Sequence, residues 1–174
     1  METLEGKLIY RIIHEDDRHA FASLIRRHQS KLRNFLRRLT KGDHALADDL
    51  AQESFMIAYN KIRQLDVTGS FSAWLFRIAY RVFLQHMRKQ RDDHETLDEG
   101  SIAIEETHES IDKLTLDEAL KKLSFDERLV ITLHYFGDFS HSEITKITSY
   151  PLGTVKSHSL RATEKLKKLL GASR

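Results

Sequence analysis

Residues Ser140 to Arg161 read SHSEITKITSYPLGTVKSHSLR, and this stretch decides the fold. Ser140 and Glu143 make a capping box, in which the two side chains reciprocally satisfy free backbone N–H groups. The box opens a short helix running through about Thr148. Ser149 and Tyr150 turn the chain, and Pro151 suits a first helical position, where its missing N–H costs nothing. A last helix follows from Pro151 to Leu170 and stops at Gly171. Val155, Ala162, Leu166 and Leu169 recur at helical spacing and predict its packed face. Lys156, Ser157 and Arg161 lie near the helix start on another side. Short helix, tight turn and longer basic helix are the layout of a helix-turn-helix DNA reader, whose second helix enters the major groove by its N-terminal residues. Lys156 and Arg161 can donate to guanine O6 and N7 or to phosphate, and Ser157 can serve either. Lys165, Lys167 and Lys168 lie farther along and are expected at phosphate or in solvent.

Working upstream, Ser124 and Glu127 make a second capping box, which opens a helix ending at Phe136 with Gly137 in the C′ position. Leu114, Leu116, Ala119, Leu120 and Leu123 predict a short amphipathic helix before it. Residues 113–174 therefore read as a four-helix domain. Residues 92–112 lack helical periodicity and read as a linker. Residues 1–91 form the other domain, with helices predicted over about 17–39, 44–62 and 71–90. The stretch from Gln64 to Ser70 reads as a loop, with Ser70 as N-cap of the third helix. The fold class is all-α, two small helical domains joined by a flexible acidic linker.

Charge follows the same division. From Val67 to Arg91 there are five Lys/Arg and no acid, and from Asp92 to Asp112 nine Asp/Glu and no base. From Val155 to Arg174 six Lys/Arg meet a single acid, Glu164. Two basic segments flanking an acidic one predict nucleic-acid surfaces separated by a solvated connection. The 174 residues include no cysteine, which excludes disulfides, thiol chemistry and Cys-based zinc sites. Ten scattered histidines without an HExxH pair argue against a metal, and no phosphate loop or nucleophile–base pair stands out. No catalytic residue, cofactor or membrane insertion is expected. No signal peptide is read at Met1–Tyr10, so the expected location is cytoplasmic.

These motifs resemble a known family. Ser140-His-Ser-Glu-Ile144 followed by Gly153-Thr-Val-Lys-Ser157 and Arg161-Ala162 is similar to the C-terminal domain of extracytoplasmic-function sigma factors, of the sigma-70 family. Asp48-Asp-Leu-Ala-Gln-Glu-Ser-Phe55 resembles the family helix that docks on RNA polymerase, and Phe71-Ser-Ala-Trp-Leu-Phe-Arg-Ile-Ala79 the signature before its −10 recognition helix. The resemblance implies a subunit that binds the polymerase core through clamp coiled coil and flap and directs promoter-specific initiation. It implies −35 recognition by Lys156, Ser157, His158 and Arg161, and −10 recognition by Asp66, Thr68, Ser70, Arg77, Arg81 and Arg88. Core docking falls to Asp48, Asp49, Gln52 and Glu53. An anti-sigma partner and promoter DNA are implied as well. The acidic linker either passes through the polymerase cleft or serves as a self-repelling spacer. Trp74 reads as core sooner than as a stacking platform.

The chain departs from the family at Arg81, where an asparagine is frequent, at Gln85, where an acid is, and at Thr145, where an alanine is common. His158 stands where a second basic residue is usual. Promoter sequence therefore does not transfer. Two other readings stay open at this point: a helix-turn-helix regulator acting without polymerase, and a sigma-like protein-interaction adaptor.

Overall fold

The computed structural model describes residues 3–65, 70–95 and 115–171, all helix and connecting turn. Helix α1 spans Leu4–Glu15, α2 Arg18–Leu39, α3 His44–Lys61 and α4 Phe71–Glu95, with a 3-10 turn at Ile62–Gln64 after α3. Helices α5 (Leu116–Lys121), α6 (Phe125–Ile131), α7 (His141–Thr148) and α8 (Leu152–Gly171) form the second unit.

Helix α1 has no counterpart in the sequence reading. Thr3 caps it by accepting from the Gly6 N–H at 3.1 Å, and Leu8, Ile9 and Ile12 are buried against α2. Glu5 ties it further to α2 through His28 Nε2 at 2.6 Å. Helix α4 runs through Glu95, past the predicted end at Gln90, so the first three acidic positions extend the helix. The rest of the acidic linker lies outside the described residues. Thr115 and Glu118 form a third capping box, opening α5.

The helix after Ser124 changes character midway. Beyond Ile131 it continues to Phe136 with π-type hydrogen bonding, and the Gly137 N–H closes it on the Thr132 carbonyl at 3.1 Å. Gly137 follows the helix with φ −89°, and the left-handed residue is the next one, Asp138, at φ 59°. Close approach is what Gly137 supplies. A Cβ there would stand 2.6 Å from the Leu133 carbonyl and 2.7 Å from the Phe139 ring. Pro151 sits one position before α8 and accepts from the Val155 N–H at 3.0 Å, a shift of one residue at a helix start.

The two units share a core. Leu129, Val130, Leu133, Phe139, Ile144, Ile147 and Val155 cluster with the buried residues of α1 to α4. Phe83 stacks on Phe125 at 5.7 Å and 7°, and Phe76 meets Phe139 edge-on at 4.9 Å. Helix α7 packs along α4. The Arg38 guanidinium lies 3.8 Å over the Phe136 ring, and Lys31 pairs with Asp138 at 2.7 Å.

Candidate nucleic-acid interface

The capping boxes and the turn place α8. Ser140 Oγ accepts from the Glu143 N–H, and Ser149 ends α7 in the left-handed region, at φ 65°. Tyr150 anchors the turn by donating from its hydroxyl to Asp126 Oδ1 at 2.6 Å. Burial, and then that acceptor, push the Tyr150 phenol well above its ordinary range, so it stays a donor. With the turn held, Val155, Ser159 and Ala162 face the interior, while Lys156, Ser157, Leu160 and Arg161 are exposed. His158 is half-buried, and its Nδ1 accepts from Arg161 at 3.1 Å. Ser157 donates to the Thr154 carbonyl at 3.0 Å, and its hydroxyl oxygen can still accept.

Lys165 corrects the sequence expectation. It pairs with both oxygens of the buried Glu127 carboxylate at 2.8 Å and is not free for phosphate. Burial works to raise the Glu127 carboxyl, but the bonds from Lys165 and from the Ser124 N–H outweigh it and hold it below the usual range. A position on the far side of the helix from Lys156 explains this: Lys165 lies one turn beyond the buried Ala162.

On α4, Ser70 caps as predicted, accepting from the Ala73 N–H at 3.3 Å. Arg77, Arg81 and Arg88 are exposed and, four and eleven residues apart, line one stripe of the helix. Lys89 and Arg91 extend the basic surface. Trp74 is half-buried against the core, 5.8 Å from Phe71. Asp66 and Thr68 lie outside the described residues.

On α3 the four acidic and amide positions separate. Asp48 turns toward α2, 3.6 Å from Arg33 and 3.5 Å from Arg37. Asp49, Gln52 and Glu53 are exposed together. Met56, which the sequence reading passed over, continues their face at 67 % exposure. Its spacing of seven from Asp49 was the available signal. A shallow apolar hollow of about 320 Å³ lies beside it, lined by Phe21, Ile25, Phe55 and Tyr59. A second unforeseen feature is an open apolar groove of about 850 Å³ between α5 and the end of α8, lined by Leu116, Leu120, Tyr135, Phe136, Leu166 and Leu170. Among the described residues, no helix is long and apolar enough to cross a membrane, and no three His, Asp or Glu side chains gather as metal ligands.

Sigma-70 region 2 matches residues 24–92, and sigma-70 region 4 matches residues 119–168. The ECF RNA polymerase sigma factor SigW of Bacillus subtilis is 32 % identical, with 98 % of each chain covered. The RNA polymerase sigma-H factor of Pseudomonas aeruginosa is 28 % identical over 91 % of this chain and 90 % of its own. Among solved structures, the sigma factor RpoE of Bartonella quintana, crystallised with the anti-sigma factor NepR, superposes with a TM-score of 0.72. It is 32 % identical, and the match covers 88 % of this chain and 98 % of that one.

Proposed function

The chain belongs to the extracytoplasmic-function sigma factors of the sigma-70 family, and from that premise we propose how its surfaces divide the work. It is an alternative sigma factor that directs promoter-specific transcription initiation. A regulator that acts without polymerase, and an interaction adaptor, are not favoured.

In the proposed division the start of α8 reads the −35 element through Lys156, Ser157, His158 and Arg161. The observation that carries this reading is the sorting of α8 into a buried face and an exposed basic one directly after an anchored turn. Such a helix start can lie in the major groove with base edges in reach of its side chains. In this proposal the Arg77, Arg81 and Arg88 stripe attracts the backbone of the −10 region, and Asp66, Thr68 and Ser70 take an extruded base. Asp49, Gln52 and Glu53 face a basic clamp surface of the polymerase core, with Met56 adding apolar area. Asp48, held by two arginines, shapes that face from beside it. The groove between α5 and α8 suits an apolar helix of the flap. An anti-sigma partner is supported by the relative crystallised with one.

The test is run-off transcription with purified bacterial core polymerase on a genomic promoter library. Discrete transcripts that depend on the chain are expected. Core binding no tighter than that of an unrelated helical protein would remove the reading.

A further inference from the structure

A pocket of about 360 Å³ opens where the end of α2 and the α2–α3 turn meet α5 and α6. Arg37, Arg38, Lys41, Lys121 and Arg128 line it against one carboxylate, Asp117. Asp117 lies 3.6 Å from Arg38, and Arg37 shares Asp48 with Arg33. Lys41, Lys121 and Arg128 have no ion-pair partner among the described residues.

Arg128 is the informative member. It is only 3 % exposed, its Nε has no hydrogen-bond partner, and one terminal nitrogen reaches the Leu123 carbonyl at 3.4 Å. The Nε atoms of Arg37 and Arg38 are buried and unpartnered as well. Burying a guanidinium without a counter-charge is costly, and desolvation draws the Arg128 pKa down. Lys121 comes in from the other unit, its Nζ 3.6 Å from where a Cβ on Gly42 would stand. A cleft lined by one sign of charge concentrates counter-ions, and guanidinium groups match phosphoryl oxygens in bidentate geometry.

We propose that this pocket binds a small diphosphate-bearing anion, either inorganic pyrophosphate or the diphosphate of a nucleotide. Its several negative charges complement the three cations left without a carboxylate. Arg37, Arg38 and Lys41 belong to the first unit, Lys121 and Arg128 to the second. A bound anion therefore fastens the two units in the packed arrangement, and stabilises it by mass action.

The experiment follows the thermal melt of the full chain while pyrophosphate is titrated at constant ionic strength, with sulfate and a nucleoside diphosphate as parallel arms. A saturable rise is expected with pyrophosphate or the nucleoside diphosphate, and none with sulfate. The stronger of the two responders identifies the source of the diphosphate. The Lys41→Asn/Lys121→Gln chain keeps a residue tolerant of the left-handed backbone at position 41 and should bind at least about ten-fold more weakly. If that chain melts lower without ligand, calorimetric titration of Lys121→Gln alone carries the same decision. A rise that never saturates, that sulfate reproduces, or that the variants retain in full overturns the proposal. So does an unmoved melt in a chain whose variant holoenzyme loses promoter affinity, because the cations would then serve the DNA backbone.

Discussion

Arg161 donates to His158 on the exposed face of α8, a contact that a guanine edge or a phosphate can replace. If Arg161 reads a base, Arg161→Ala costs the holoenzyme about 1–3 kcal/mol and relaxes preference at one −35 position. If it meets phosphate, the loss is similar across sequences and the salt slope falls by about one. Competition against promoters randomised in the −35 element, at two salt concentrations, separates these. Unchanged promoter choice and salt response in both Arg161→Ala and Lys156→Ala would take the reading role away from α8. His141 makes a different kind of prediction. Its Nε2 is buried without a partner, and its ring lies 4.7 Å from that of His134. Burial first, then His134 and Lys156, hold its imidazole below the ordinary 6.5. The unfolded chain then binds more protons as pH falls, so this contribution to stability is complete above pH 6.5 and declines below it. Urea midpoints should drop between about pH 7.5 and about pH 5.5, and less so in His141→Gln. Equal drops in the two proteins would assign the pH response to other groups.

At the level of single helices, much was legible because local rules act within a few residues. Capping boxes at Ser124 and Ser140, the Ser70 cap and the buried Val155 and Ala162 all stand where spacing placed them. The π-type segment was not legible, because a hydrogen-bond register one residue wider than that of an α-helix has no mark in apolar spacing or caps. Helix α1 carried a usable signal in Leu8, Ile9 and Ile12, but its twelve residues acquire a reason to fold only by packing on α2. Helix α3 offers the sharpest test of a whole face. Replacing Asp49 and Glu53 by Lys reverses its exposed charge while leaving the Asp48 contacts with Arg33 and Arg37 intact. Core association should fall and the melt should hardly move, since exposed substitutions usually change stability by less than about 0.5 kcal/mol. Unaltered association would leave these residues the lesser role of keeping their helix soluble.

Across the whole molecule, the packing of α7 along α4 sets a geometric conflict. Promoter elements centred about 25 base pairs apart lie roughly 85 Å apart along the duplex, at about 3.4 Å per pair. Helix α4, with 25 residues, is only about 38 Å long, so the packed arrangement cannot present both readers at once. The 19 residues between Glu95 and Thr115 can reach roughly 65 Å when extended, enough to let the units part. Core polymerase should therefore lengthen the distance between fluorescent labels on α2 and α8. Phe83→Ala with Phe125→Ala, which removes the stacked pair across the units, should lengthen it in the free protein with helix content retained. A distance that stays short in that variant would show that this pair does not hold the units together. The sequence by itself determined the helices from α2 to α8 in outline, the helix-turn-helix, the alternation of charge and the family, because periodicity, caps and turns are properties of neighbouring residues. Only the tertiary structure decided that the two units share one core, that Asp48 and Lys165 are occupied in ion pairs, and that unpaired cations from both units meet in one pocket. Those outcomes depend on which faces approach in space, and side chains as far apart along the chain as Arg38 and Phe136 carry no mark of each other in the sequence.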